Sequence, residues 1–228
     1  MGESIIATLM KKYPRTYHFM FSPEVHSDDK VISLKYLGNF LRDEMIITEK
    51  LDGANSCLKG HQGVFGRSHA LPTREPWYDH LKGVYYSKMD VINPDYWYFG
   101  ENTFAIHSIE YTEMEAYFYI FAIYDSVNDL WLSYDDMVKE AQRVDIPTVP
   151  LLFRGNMTSM AVVNRWMDRQ INTASLLGGK LEGFVMRVAS AIPGDKFNEF
   201  VAKYVRKGHV QTDEHWTKNW VQQTLKSK

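Results

Sequence analysis

The clearest signal along the chain is a series of short runs in which β-branched and aromatic residues follow one another or alternate with polar ones. "MIITEK", "NSCLKG", "GVFGRS", "YWYFGE", "AYFYIFAIYD", "TVPLLFR", "EGFVMRVA" and "EFVAKYVR" each have strand composition. Three stretches switch to helical spacing. "SYDDMVKEAQRV" offers Ser133 as N-cap with Asp136 at the capping-box position. "NMTSMAVVNRWMDRQI" offers Asn156 as a cap, and "TDEHWTKNWVQQTLK" reads as a closing C-terminal helix. The expected class is α+β, with mostly antiparallel sheets and helices on their outer faces.

Neither an internal repeat nor a Pro/Gly/Ser linker divides the 228 residues, so a single domain over 1–228 is expected. With 45% apolar residues there is enough material for a substantial core. The single cysteine, Cys57, leaves no internal disulfide and no Cys/His zinc spacing, and is read as a small buried hydrophobe. No run approaches the ~20 apolar residues of a membrane span, and the N-terminus lacks the pattern of a signal peptide. A cytoplasmic protein is therefore expected. A formal net charge of −2 argues against a general nucleic-acid coat, though not against a local basic groove.

Candidate chemistry centres on "ITEKLDGAN". Lys50 stands where a strand ends and Asp52-Gly53 turns the chain, a place that puts its amine at the mouth of a sheet. On the tetrapeptide alone, an ordinary surface lysine is the simpler reading. A lysine nucleophile needs burial or nearby cations, because its amine is protonated up to a reference pKa of ~10.4. Downstream, Arg67, Glu101, Phe121, Glu182 and Lys203 each lie at or near an apolar strand.

In order and spacing these residues resemble the covalent nucleotidyltransferases: ATP-dependent DNA ligases, RNA ligases and capping enzymes. The stretches "KYPRT", "TEKLDGAN" and "KYVRKGHVQTDEHW" are most similar to the RNA ligase 2 family and its small phage and bacterial relatives. The resemblance implies a ligase-type, ATP-grasp-like nucleotidyltransferase domain in which Lys50 accepts AMP from ATP. It further implies Glu49 near the adenine, Phe121 stacked on it, and Glu101 on the ribose. Asn55 and Arg67 would lie near the phosphates and the RNA end. Glu182 would hold Mg²⁺ or Mn²⁺, with Arg187 and Lys203 on the nucleotide phosphates. The implied activity is joining of 5′-phosphate and 3′-hydroxyl RNA ends, nicked duplex or single-stranded, in a bacterial or phage-infected cell, with room for an accessory end-binding protein.

Two positions depart from the family pattern: Val205 stands where a second motif V lysine is usual, and Ala122 where an aspartate is, with Asp125 a little later. A sealing-inactive nucleotide- or RNA-end-binding protein is the alternative those positions suggest. DNA ligase or capping chemistry is the other, but both usually carry an OB-fold domain after motif V, and none is expected in the short tail here. "GGK" at Gly178 to Lys180 is read as a turn. His209 and His215 lack an evident third metal ligand, and Lys11, Lys12, Arg15 and the run from Lys203 to His209 are candidates for an RNA-backbone groove.

Overall fold

The computed structural model describes residues 12–67, 71–208, 217 and 219–227; Lys11, His209 and His215 lie outside them. Two sheets account for the predicted runs. One has the order β1-β11-β9-β2-β8 and the other β10-β7-β6-β5-β3-β4. In the first sheet, β1 (Tyr17–His18) is parallel to β11 (Val201–Val205), and all other pairings are antiparallel: β11 with β9 (Gly183–Val188), β9 with β2 (Met45–Lys50), and β2 with β8 (Leu151–Gly155). In the second, β3 (Ala54–Lys59) lies between β4 (Gly63–Gly66) and β5 (Tyr96–Asn102), and β5 passes to β6 (Phe118–Asp125), β7 (Leu130–Trp131) and β10 (Ile192–Pro193).

Strand alternation divides each sheet into two faces. Thr48, Val185 and Lys203 are register partners on the face of the first sheet that lines a cleft, while Ile47, Met186 and Ala202 form the opposite, buried row. That buried row packs with Phe40 of α1 (Leu34–Arg42) and with Val163 and Met167 of α4 (Met160–Gln170). The second sheet buries Leu58, Tyr98 and Ile123 with Leu81 and Tyr85 of α2 (Asp79–Ser87) and Met137 of α3 (Tyr134–Arg143). A four-residue helix, α5 (Phe197–Phe200), leads into β11. The architecture is thus α+β with helices outside, as expected.

Three helix readings meet the structure differently. α3 starts where predicted: the Ser133 hydroxyl accepts from the Asp136 N–H at 3.1 Å and donates to its carboxylate at 2.6 Å, a cap of the kind that stabilises by ~1 kcal/mol. α4 starts later than predicted. Its cap is Ser159, which accepts from Val162 N–H at 3.3 Å, rather than Asn156. The predicted C-terminal helix is absent over residues 219–227, which run without helical turns and pair with the loop 104–114 instead. The apolar spacing there serves an extended segment whose Leu225 packs against a buried cluster that includes Leu51, Ile109, Tyr111 and Met114.

Candidate active site

Between the cleft faces of the two sheets lies a cavity of about 650 Å³. Lys50, Glu49, Asn55, Arg67, Glu101, Phe121, Arg187 and Lys203 all line it. Residues scattered over most of the chain converge because β2, β9 and β11 form one wall and β3, β5 and β6 the other.

Lys50 ends β2, opposite Gly183 in the register, and Glu182 immediately precedes β9. Its ammonium therefore reaches the Glu182 carboxylate, with Nζ 2.6 Å from Oε1 and 2.7 Å from Oε2. Glu182 is 4% exposed and the Lys50 side chain 28%, so this ion pair faces the cleft from a largely dry base. Burial pushes the Lys50 ammonium down, but Glu182, Glu101 and Asp52 outweigh it and leave the amine above the ordinary lysine range. The carboxylates around Lys50 therefore set the direction of its shift in the ligand-free protein.

Glu101, across β3–β5 from Asn55, is pushed up to about 8, first by burial and then by Glu182 and Asp52 against the opposing pull of Lys50. Burial also raises Glu182. A bound cation would favour the charged form of both carboxyl groups against the burial that raises them. Their hard oxygen donors suit a divalent cation shared with substrate phosphates. Among the described residues no cluster of three or more His, Cys, Asp or Glu side chains could hold a metal unaided. Glu182 would thus supply one protein ligand, leaving others to substrate and water.

The remaining candidates divide. Phe121 is the extra residue of a β-bulge: Phe99 pairs with Ala122 and Gly100 with Ile120, so Phe121 has no partner on β5. The bulge lets Phe121 and Ala122, neighbours in sequence, both line the cavity, which alternation alone forbids. Beside Phe121, the Tyr13 ring lies 4.9 Å away, edge-on, in an aromatic end of the cleft that also holds Phe99, Trp131 and Phe197. Asn55 presents a buried side-chain oxygen with no hydrogen-bond partner, and exposed Arg67 lies at the junction of the cleft and a smaller groove. Lys203 lines the opposite wall, its ammonium lowered by burial and by Lys50.

Two candidates are occupied within the protein. The Glu49 carboxylate accepts from the Ser175 hydroxyl and the Leu176 N–H, both at 2.6 Å, so it braces the loop before Glu182. Arg187, 7% exposed, donates to the carbonyls of Leu132, Val188 and Ser190. Val205 is buried on the Lys203 face, and Arg206 Nε donates to the Leu181 carbonyl at 3.0 Å. Asp125 caps its own turn through Val127 and Asn128 and does not replace the aspartate missing at Ala122.

Other residues of the site were not singled out for it from the sequence. Asp29 also lines the cleft, joining Arg15 at 3.2 Å, His18 at 3.4 Å and Lys203 at 4.0 Å. Burial, with the Lys203 charge, brings the His18 pKa down to about 4, so the ring is neutral. The signal available was the parallel β1–β11 pairing, which sets His18 opposite Lys203 and which no local pattern announces. His107 lines the cavity from a loop that carried no motif.

A lysine between two mainly antiparallel sheets, with a carboxylate at its amine and an aromatic end to the cleft, is thus the centre of the candidate site. A sequence profile of the RNA ligase family matches residues 43–205, and the chain belongs to that family. No curated protein sequence is detectably similar. Among solved structures, Naegleria gruberi RNA ligase in an unliganded aspartate-to-alanine form superposes with a TM-score of 0.57 at 16% identity, over 89% of this chain and 61% of that one. A glutamate-to-alanine form with ATP and Mn gives 0.57 at 16% identity, covering 90% and 62%. An arginine-to-alanine form with ATP and Mn gives 0.56 at 19%, covering 89% and 57%. The chain thus spans about three fifths of the length of these ligases. Among the described residues no helix is long and apolar enough to cross a membrane.

Proposed function

We propose that this protein is an ATP-dependent RNA ligase working through a lysyl-AMP intermediate. The observation that carries the proposal is the Lys50–Glu182 pair at 2.6 and 2.7 Å, in a cleft whose other walls carry Glu101, Phe121 and Lys203. Membership of the RNA ligase family and the ATP and Mn complexes of the Naegleria enzyme support it.

In the first step the neutral Lys50 amine attacks the α-phosphorus of ATP, forming a P–N bond as the bond to pyrophosphate breaks. In the second, a 5′-phosphate oxygen of RNA displaces Lys50 and takes the AMP. In the third, a 3′-hydroxyl displaces AMP and the phosphodiester is sealed. Phe121 offers a face for the purine and Glu101 an acceptor for the ribose, and fixing the nucleotide in line is most of what phosphoryl transfer asks of a protein. Lys203 neutralises charge on the phosphates. Glu182 would hold in part a divalent cation, Mg²⁺ or Mn²⁺, which would supply further charge neutralisation. Glu182 engaged in that way would favour the Lys50 ammonium less, leaving burial opposed by Glu101 and Asp52.

Asn55 and Arg67 are assigned to the RNA end. With pre-adenylated RNA carrying a free 3′-hydroxyl, the wild type should seal without ATP. Asn55→Ala and Arg67→Ala should seal poorly while still forming lysyl-AMP. Loss of self-adenylation as complete as in Lys50→Ala would return both residues to the ATP pocket, and no sealing by the wild type would overturn the ligase reading.

A further inference from the structure

The segment Val221–Lys226 lies beside the loop 104–114 and is fastened to it along its length. Ile106 N–H donates to the Val221 carbonyl at 2.8 Å, Gln223 N–H to Phe104 at 2.9 Å, and Lys226 N–H to Met114 at 2.8 Å. Gln223 is 1% exposed, and its side chain does what a strand's backbone would. Its amide nitrogen donates to the Ile109 carbonyl at 2.7 Å and its amide oxygen accepts from the Tyr111 N–H at 3.1 Å. Tyr117 OH donates to the Gln223 carbonyl at 3.0 Å. A buried amide using both ends on one loop fixes that loop's position, since losing either bond strands a polar group away from water.

The same loop holds the two turns that carry the reacting pair. Asp52, two residues after Lys50, accepts from Ser108 N–H at 2.7 Å and Ile109 N–H at 2.8 Å through one carboxylate oxygen, while its own N–H donates to the Tyr111 hydroxyl at 2.8 Å. On the other side, the Gly178-Gly179 turn that leads to Glu182 lies flat on the loop. Both glycines have positive φ, +78° and +77°, and a Cβ would meet Thr112 Oγ1 at 2.2 Å and the Glu110 carbonyl at 2.4 Å. Glu113 N–H donates to the Leu177 carbonyl at 2.8 Å. The loop also carries His107 into the cleft.

We propose that Val221–Lys226 is a strap that sets the position of Lys50 relative to Glu182, with Gln223 as its positioning residue. Ile109 and Tyr111 are the shared members: each is held by Gln223 on one side and holds Asp52 on the other. The effect on phosphoryl transfer rests on the ligase reading; the mechanical link does not. Fixing the turn after Lys50 and the turn before Glu182 against one loop restricts the amine to the geometry of attack.

Hydrogen exchange of the full chain, without ligand, tests the link. Gln223→Ala should speed exchange roughly tenfold at Ser108, Ile109 and Tyr111, and also at Asp52, while the amides of β9 keep their protection. Faster exchange confined to the loop, with Asp52 unchanged, overturns the proposal. Pre-steady-state labelling with ATP and Mg²⁺ gives the second readout. The lysyl-AMP rate constant should fall at least about tenfold at saturating ATP, with KM for ATP and the labelled fraction near wild type. A smaller labelled fraction at an unchanged rate constant would mean that Gln223 only stabilises the fold, and would refute the positioning role. If Gln223→Ala does not fold, Gln223→Glu, which keeps the acceptor for the Tyr111 N–H but loses the donor to the Ile109 carbonyl, must show the same rise at Asp52. A wild type that never labels would contradict the proposed ligase chemistry, and the exchange result would still decide the strap.

Discussion

Gly183 is where packing and chemistry meet most tightly, and replacing it with alanine gives a sharp expectation. Its neighbours in register are Lys50 on β2 and Val205 on β11. A Cβ at this position would stand 2.1 Å from the Tyr204 carbonyl oxygen and 3.0 Å from the Val205 Cα. A carbon and a carbonyl oxygen approach no closer than ~3.3 Å, so β11 would have to retreat by roughly an ångström. The obstacle is backbone in the middle of a sheet and has no rotamer with which to yield. Overpacking in such places costs ~1–3 kcal/mol, and Gly183→Ala belongs at the upper end, about 3 kcal/mol. For a domain of this size that lowers Tm by roughly 6–12 °C. Because the displaced strand carries Lys203 and Glu182 is adjacent, lysyl-AMP formation should fall by about a hundredfold in the protein that remains folded. Thermal and urea unfolding measure the first effect and labelling with radioactive ATP the second. A Tm within about 2 °C of wild type, or unimpaired labelling, would refute the packing described for β9 and β11.

Other expectations follow from charge. Glu101 has a folded-state pKa of about 8 against an ordinary 4.5, so the folded protein binds the extra proton between those values and its stability falls as pH rises through them. In the ligand-free protein, Glu101→Gln should therefore gain stability relative to wild type between about pH 5 and 8, and a difference that does not vary with pH would contradict the assignment. Glu49→Ala removes the acceptor of two 2.6 Å hydrogen bonds and should cost ~2–3 kcal/mol in urea unfolding. It should leave the ratio of ATP to GTP labelling unchanged, and a switch towards GTP would show that the carboxylate reads the base.

Most strands were legible because their burial pattern is local: "MIITEK" and "EGFVMRVA" carry enough β-branched and aromatic residues to be read without context. The site was legible only as a set of motifs in order. Lys50, Glu182 and Lys203 are far apart in sequence, and periodicity does not bring them together; the β2–β9–β11 register does. What stayed hidden depends on contacts that no local pattern encodes. The Phe121 bulge reverses the alternation of β6, and the parallel pairing of β1 puts His18 and Asp29 beside Lys203. Residues 219–227 have apolar spacing that fits a helix, but the backbone donors of Gln223 and Lys226 are taken by the loop 104–114, and tertiary pairing prevails over a weak local preference. Arg187 and Glu49 show the converse. Their types suit a phosphate and a base, and both line the cleft while also holding the protein's own carbonyls, hydroxyls and amides, contacts that no local pattern announces.

The covalent role of Lys50 is tested most directly by incubating the protein with ATP and Mg²⁺ and locating the product by intact mass and peptide mapping. One AMP should be attached through an acid-labile bond at Lys50, pyrophosphate should reverse the modification, and Lys50→Ala and Lys50→Arg, both folded, should remain unlabelled, because arginine stays protonated and cannot attack. AMP on another residue, or full labelling of either variant, would contradict the mechanism at its first step.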